Sequence, residues 1–168
     1  MGSRRRKIQR NPSGNAMQKM RREERGSSFS MIHGGKMKKL LFVCVENAGR
    51  SQMAEAFANY YGKGKLVASS AGVMLAEKVN PLVVDVMKEK GIDISMNKPK
   101  LLTTKMAEEA DKIITMGCSV EKFCPAPLLK NVIDWGLEDP KDKPIEKVRQ
   151  IRDEIEKRVL KLISELQG

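Results

Sequence analysis

The stretch Leu40–Phe57, LLFVCVENAGRSQMAEAF, limits what this chain can fold into more than any other. An apolar run, Leu40-Leu41-Phe42-Val43, leads into Cys44. A short loop with Asn47 and Gly49 follows, then Arg50 and Ser51, then Met53, Ala54, Ala56 and Phe57 in a helical pattern. A run apolar on both faces reads as a central parallel strand. A strand that enters a helix through a tight loop aims backbone N–H groups at one point and so builds a cradle for an anion.

The loop residues give that cradle a chemistry. A thiol becomes a useful nucleophile where positive potential stabilises its thiolate. The amides of Val45, Glu46, Asn47, Ala48, Gly49 and Arg50 are expected to turn inward, and the amino end of the helix adds its dipole. Arg50 adds a full charge and a planar fork that can hold two oxygens of an oxyanion. Ser51 can donate to the thiolate, Gly49 permits positive φ and Asn47 tolerates it. The plainer alternative is a buried strand-end cysteine and a surface arginine. A bare C-x5-R spacing is weak evidence; the preceding strand, the Ser and the following helix make it specific.

The remaining pattern alternates strands and helices. Lys38 to Cys44 is the expected first strand, Ser51 to Tyr61 the first helix, ended by Gly62 and Gly64. Lys65 to Ser70 reads as a strand with Ala71-Gly72 as its exit. Asn80 caps a second helix, Pro81 takes its first turn and Gly91 ends it. A weaker helix covers Thr104 to Ala110, a third strand Lys112 to Met116 and a short fourth Asn131 to Trp135. Val148, Ile151, Ile155, Val159, Leu162 and Leu166 mark a final amphipathic helix over Pro144 to Leu166. This is an α/β chain of parallel βαβ units, in which ligands sit at the carboxyl ends of strands. Cys44, Gly117 and Trp135 all fall at such ends.

The charge of +11 over 168 residues is uneven. Residues 1–36 hold ten Lys/Arg and two acids, so +8, and residues 37–168 carry +3. The first segment reads as a basic, disordered leader before a domain at 37–168. It lacks the apolar centre of a secretory signal. It is vector-derived or mis-started sequence, a natural basic tail, or a nucleic-acid-binding arm, and the first is favoured because Met37-Lys38-Lys39 makes an ordinary start. No aromatics interleave its basic run, which counts against nucleic acid. No stretch is long enough to span a membrane. Three cysteines suggest no secreted disulfide framework, so a cytoplasmic protein with working thiols is expected. The single histidine, His33, lies in the leader, so no Cys-His pair is available to the domain.

Val43 to Glu55, VCVENAGRSQMAE, resembles the signature of the low-molecular-weight protein tyrosine phosphatase superfamily, and Gln52-Met53-Ala54-Glu55 is more similar to its arsenate reductase branch. The resemblance covers residues 38–167 and implies a four-stranded parallel sheet flanked by helices. It implies a general acid at the Asp-Pro of Trp135-Gly136-Leu137-Glu138-Asp139-Pro140, hence Asp139, with Glu138 next in line. As a plain turn, Asp-Pro would need no catalytic role. Lys141-Asp142-Lys143 stands where related phosphatases carry aromatics, which counts against a phosphotyrosine substrate.

Cys118 and Cys124 resemble the second and third cysteines of the thioredoxin-coupled reductases. The resemblance implies a relay: Cys44 attacks arsenate, Cys118 attacks Cys44 as arsenite leaves, Cys124 attacks Cys118, and thioredoxin reduces the Cys118–Cys124 disulfide. Inert buried thiols and a zinc site are the competing readings, and the spacing fits no standard zinc site. A phosphatase that uses only Cys44 and Asp139 is the rival enzyme. An anion- or nucleic-acid-binding module is the rival of another class. Cofactors are not expected, apart from a potassium ion that some members hold beside the loop. Asn47, Glu55 and Ser70 match that site, but its fourth, acidic position falls near Lys100, whose charge could replace the ion's. Glu46, an acid in an anion-binding loop, is a departure expected to point outward.

Overall fold

Apolar alternation sets the layers. In β1 (Lys38–Cys44) Leu40, Phe42 and Cys44 face one side and pack with one buried cluster, while Leu41 and Val43 face a second cluster on the other side. Both faces of the strand are covered, which explains its unbroken hydrophobic run. The computed structural model describes residues 36–117 and 132–168. The expected leader and the segment with Cys118 and Cys124 lie outside the described residues.

Four strands form an all-parallel sheet in the order β2-β1-β3-β4, with β2 at Leu66–Gly72, β3 at Lys112–Thr115 and β4 at Val132–Asp134. The four-stranded parallel sheet expected from the resemblance is the one observed. Helices α1 (Arg50–Tyr61), α2 (Pro81–Lys88) and α4 (Ile145–Gln167) cover one face through Met53, Phe57, Val83, Met87, Val148, Ile155 and Val159. The short α3 (Thr104–Glu109) covers the other through Ala107. Met53, Phe57 and Val159 are each 0% exposed, as the helical spacing of their neighbours requires.

Local chemistry fixes the ends of the elements. The Asn80 side chain accepts from Leu82 N at 3.0 Å, with Pro81 in the first turn of α2. Thr103 caps α3 in the same manner, accepting from Met106 N at 3.2 Å. β2 runs two residues further than its sequence suggests. Gly72 N–H donates to Lys100 O and Gly72 O accepts from Leu102 N, both at 2.8 Å, so residues 100–102 extend the ladder beyond β2. In consequence Cys44 pairs with Gly72, and the carboxyl end of the central strand is flanked on both sides.

Candidate active site

Cys44 ends β1 with its side chain 3% exposed, at the floor of a cleft of about 540 Å³. Among the described residues two groups reach its sulfur: Asn47 N–H donates to it at 3.1 Å, and Ser51 Oγ lies 2.7 Å away. The direction of the Ser51 bond follows from its neighbours. Lys100 N–H, which can only donate, is 2.8 Å from Asn47 Oδ1. That fixes the oxygen end of the amide and turns Nδ2 toward Ser51 Oγ, 2.8 Å away. Ser51 therefore accepts from Asn47 and keeps its own proton for the sulfur.

Arg50 opens α1 and is 6% exposed. Its Nη1 donates to Met116 O at 2.8 Å and to Leu137 O at 2.7 Å, so the guanidinium ties the ends of β3 and β4 to the loop. Among the described residues Nε and Nη2 make no such tie and can face an oxyanion, with Nη2 3.4 Å from Asp139 Oδ2. Asp139 is half exposed and faces the cleft that Cys44 and Arg50 also line. Glu138 is held elsewhere by Lys147 at 2.8 Å and Lys143 at 3.4 Å. The bond from Lys147, ahead of that from Lys143, lowers its pKa, so Glu138 stays ionised and turned away.

The glycines of the site serve contact more than dihedral freedom. Asn47 takes the positive φ, at 53°. Gly49, which permits positive φ, does not use it and has φ −142°. What requires glycine there is Pro140, whose Cγ would stand 2.9 Å from a Cβ. Gly72, read from sequence only as a strand exit, is needed because a Cβ would meet Val45 O at 2.7 Å and Asn47 N at 2.8 Å.

Asn47, Glu55 and Ser70 do converge beside the loop. Ser70 Oγ donates to Glu55, and Lys100 Nζ lies 3.1 and 3.0 Å from the two Glu55 oxygens. These residues do not fit a potassium ion as they stand. The carboxylate already has a cation, and Asn47 Oδ1 already accepts from Lys100 N and from Gln52 Nε2, at 2.8 and 2.9 Å. Gln52 is itself a site residue that sequence reasoning missed. It is 0% exposed and also donates to Asn47 O at 3.2 Å, bracing the loop from behind. The available signal was a polar residue next to the buried stripe of a helix with no other partner in the sequence pattern. Glu46, expected to point outward, lines the cleft with its carboxylate 2.9 Å from Lys141 Nζ.

Comparison with known proteins places this geometry. The chain is 37% identical over 132 residues to the glutaredoxin arsenate reductase of Synechocystis, covering 77% of this chain and 99% of that protein. A solved arsenate reductase in the phosphate-binding state superposes with a TM-score of 0.71 at 37% identity, over 77% of this chain and 99% of that one. The thioredoxin-dependent arsenate reductase of Corynebacterium glutamicum gives 0.68 at 34%, over 86% and 71%. The YwlE arginine phosphatase of Geobacillus stearothermophilus gives 0.70 at 29%, over 77% and 93%. The family model for low molecular weight phosphotyrosine protein phosphatase matches residues 39–168. With strand, cradle and Asp-Pro loop in one cleft, and with that match over nearly the whole domain, the chain belongs to the low molecular weight phosphotyrosine protein phosphatase family.

Proposed function

We propose that this chain reduces arsenate to arsenite through a three-cysteine relay that thioredoxin resets. One observation carries the reading. Cys44 and Gly117 leave adjacent parallel strands, held together by Met116 N–H on Val43 O at 3.1 Å, and Cys118 follows Gly117 directly in the chain. The strand exit that precedes the second thiol in sequence thus lies beside the strand end that bears the first. Relatives named arsenate reductases, matched nearly end to end, support the same reading.

The chemistry balances with the residues at hand. The Cys44 thiolate attacks arsenic(V); an As–S bond forms, an As–O bond breaks, and the oxygen leaves as water with a proton from Asp139. Loop amides and Arg50 hold the remaining oxygens. The Cys118 thiolate then attacks the sulfur of Cys44. An S–S bond forms, the S–As electron pair stays on arsenic, and arsenite departs two electrons richer while the two sulfurs are oxidised. Cys124 attacks Cys118 and frees Cys44. The dithiol of thioredoxin, itself oxidised to a disulfide, returns Cys118 and Cys124 to thiols. Glutaredoxin is the alternative reductant that one relative's name raises. Such a relay works where thiols are kept reduced, so we place it in the cytoplasm. Among the described residues no helix is long and apolar enough to cross a membrane.

The phosphatase alternative needs only Cys44 and Asp139. Among the described residues the cleft lining includes no aromatic side chain to clasp a phosphotyrosine ring, which favours a small inorganic oxyanion. The deciding experiment is arsenate turnover with thioredoxin, thioredoxin reductase and NADPH. Cys44→Ser and Cys118→Ser are expected to abolish it, and Cys124→Ser to stop after one cycle. Full multiple turnover by Cys124→Ser would overturn the relay. Hydrolysis of aryl phosphates with no arsenite formed would establish the phosphatase.

A further inference from the structure

Glu46 is a puzzle within an anion cradle, since a carboxylate there repels the substrate. Its partner is Lys141, with Nζ 2.9 Å from Glu46 Oε1 across 95 positions of sequence. The hydrogen bond that Lys141 donates to Glu46, followed by the carboxylate's charge, raises the Lys141 pKa, so the lysine stays protonated well above neutrality. Lys141 is also the residue whose backbone N–H donates to Asp139 Oδ1, at 3.0 Å. The other carboxylate oxygen of Asp139 lies 3.4 Å from Arg50 Nη2. Three consecutive residues thus dock on the loop: Asp139 at Arg50, Pro140 against Gly49, and Lys141 at Glu46.

We propose that Glu46 is a positioning residue that acts through Lys141. By anchoring that side chain it fixes the backbone N–H that orients Asp139, and it holds the Asp-Pro turn down on the cradle. The carboxylate raises the cost of anion entry, and the ammonium offsets this while using the pair to set the acid. This inference rests on Asp139 acting as the acid in the function proposed above.

Exposed ion pairs shift conformational populations by roughly two- to five-fold, which sets the size of the effect. The test is single-turnover arsenite formation without reductant, read as the rate at saturating arsenate and the arsenate concentration for half that rate. It compares wild type, Glu46→Gln, Lys141→Met, the double variant and Lys141→Arg. Both single variants are expected to lose about two- to five-fold in saturating rate. Half-saturation should move in opposite directions, down for Glu46→Gln and up for Lys141→Met. The double variant should be no slower than either single one, and Lys141→Arg should recover most of the rate. If only half-saturation moves, the pair merely tunes anion attraction and the proposal is wrong. Losses that multiply in the double variant also overturn it. A wild-type protein that forms no arsenite overturns the assigned function, and this inference with it.

Discussion

The amide of Asn47 has its two ends committed in opposite directions: Nδ2 toward Ser51 and the Cys44 sulfur, Oδ1 toward Lys100 and Gln52. A path of hydrogen bonds therefore runs from the thiol to the segment whose ammonium sits on Glu55. Lys100 Nζ places a positive charge on Glu55, where a potassium ion was the other expectation. Turnover of wild type is accordingly expected to be the same in potassium and sodium at equal ionic strength. Lys100→Ala, which leaves Glu55 beside the buried Ser70 without its cation, is expected to slow and to become responsive to potassium. A wild-type rate that rises with potassium would show that the ion still competes for Glu55. Cys44, Arg50 and Ser51 were legible in the sequence because their spacing is local to one strand-loop-helix unit. The Glu46–Lys141 pair was not, because nothing in one dimension brings positions 95 apart together. Lys100 was visible only as a departure from an acidic position, and its two separate contacts needed coordinates.

At the scale of elements, the ends of β3 and β4 meet at two glycines. Gly117 has φ 83°, and a Cβ there would stand 2.6 Å from Gly136 Cα and 2.9 Å from Leu137 N. Both contacts are to backbone, which cannot turn aside. Gly117→Ala combines left-handed strain with overpacking and should cost at least about 2 kcal/mol, checked by urea denaturation. The same change should slow arsenite release, because it displaces the residue preceding Cys118 and the carbonyls that hold Arg50. Alternation and caps made β1, α2 and α4 readable, since each carries its own periodic stripe or punctuation. The end of β2 was misjudged because Ala71-Gly72 looks like an exit until residues 100–102 arrive to pair with it. β4 is only Val132–Asp134, shorter than the expected Asn131 to Trp135, of which Asn131 lies outside the described residues. Trp135 N–H still donates to Thr115 O at 2.9 Å, while its ring tilts against Phe42, with ring centroids 5.7 Å apart.

Across the whole domain, helices α2 and α4 are joined at Glu89. Arg149 Nε and Nη2 donate to its carboxylate at 2.9 to 3.1 Å, and the buried Arg152 adds a bond at 2.7 Å. The Arg149 bond is the largest influence holding the Glu89 pKa below its ordinary value. A depressed folded-state pKa contributes stability above the unfolded value, and that contribution is lost as pH falls through the folded one. Melting temperature should therefore fall more steeply in wild type than in Glu89→Gln once pH drops below about 4.3. Parallel curves would mean that the pair contributes nothing to stability. The central claim is that Cys44 is the first of three working thiols, and its most direct measurement needs no reductant. Reduced protein mixed with excess arsenate should release one arsenite per chain. Its three titratable thiols should fall by the two in the new disulfide, leaving one. Three thiols persisting with no arsenite formed would contradict the account.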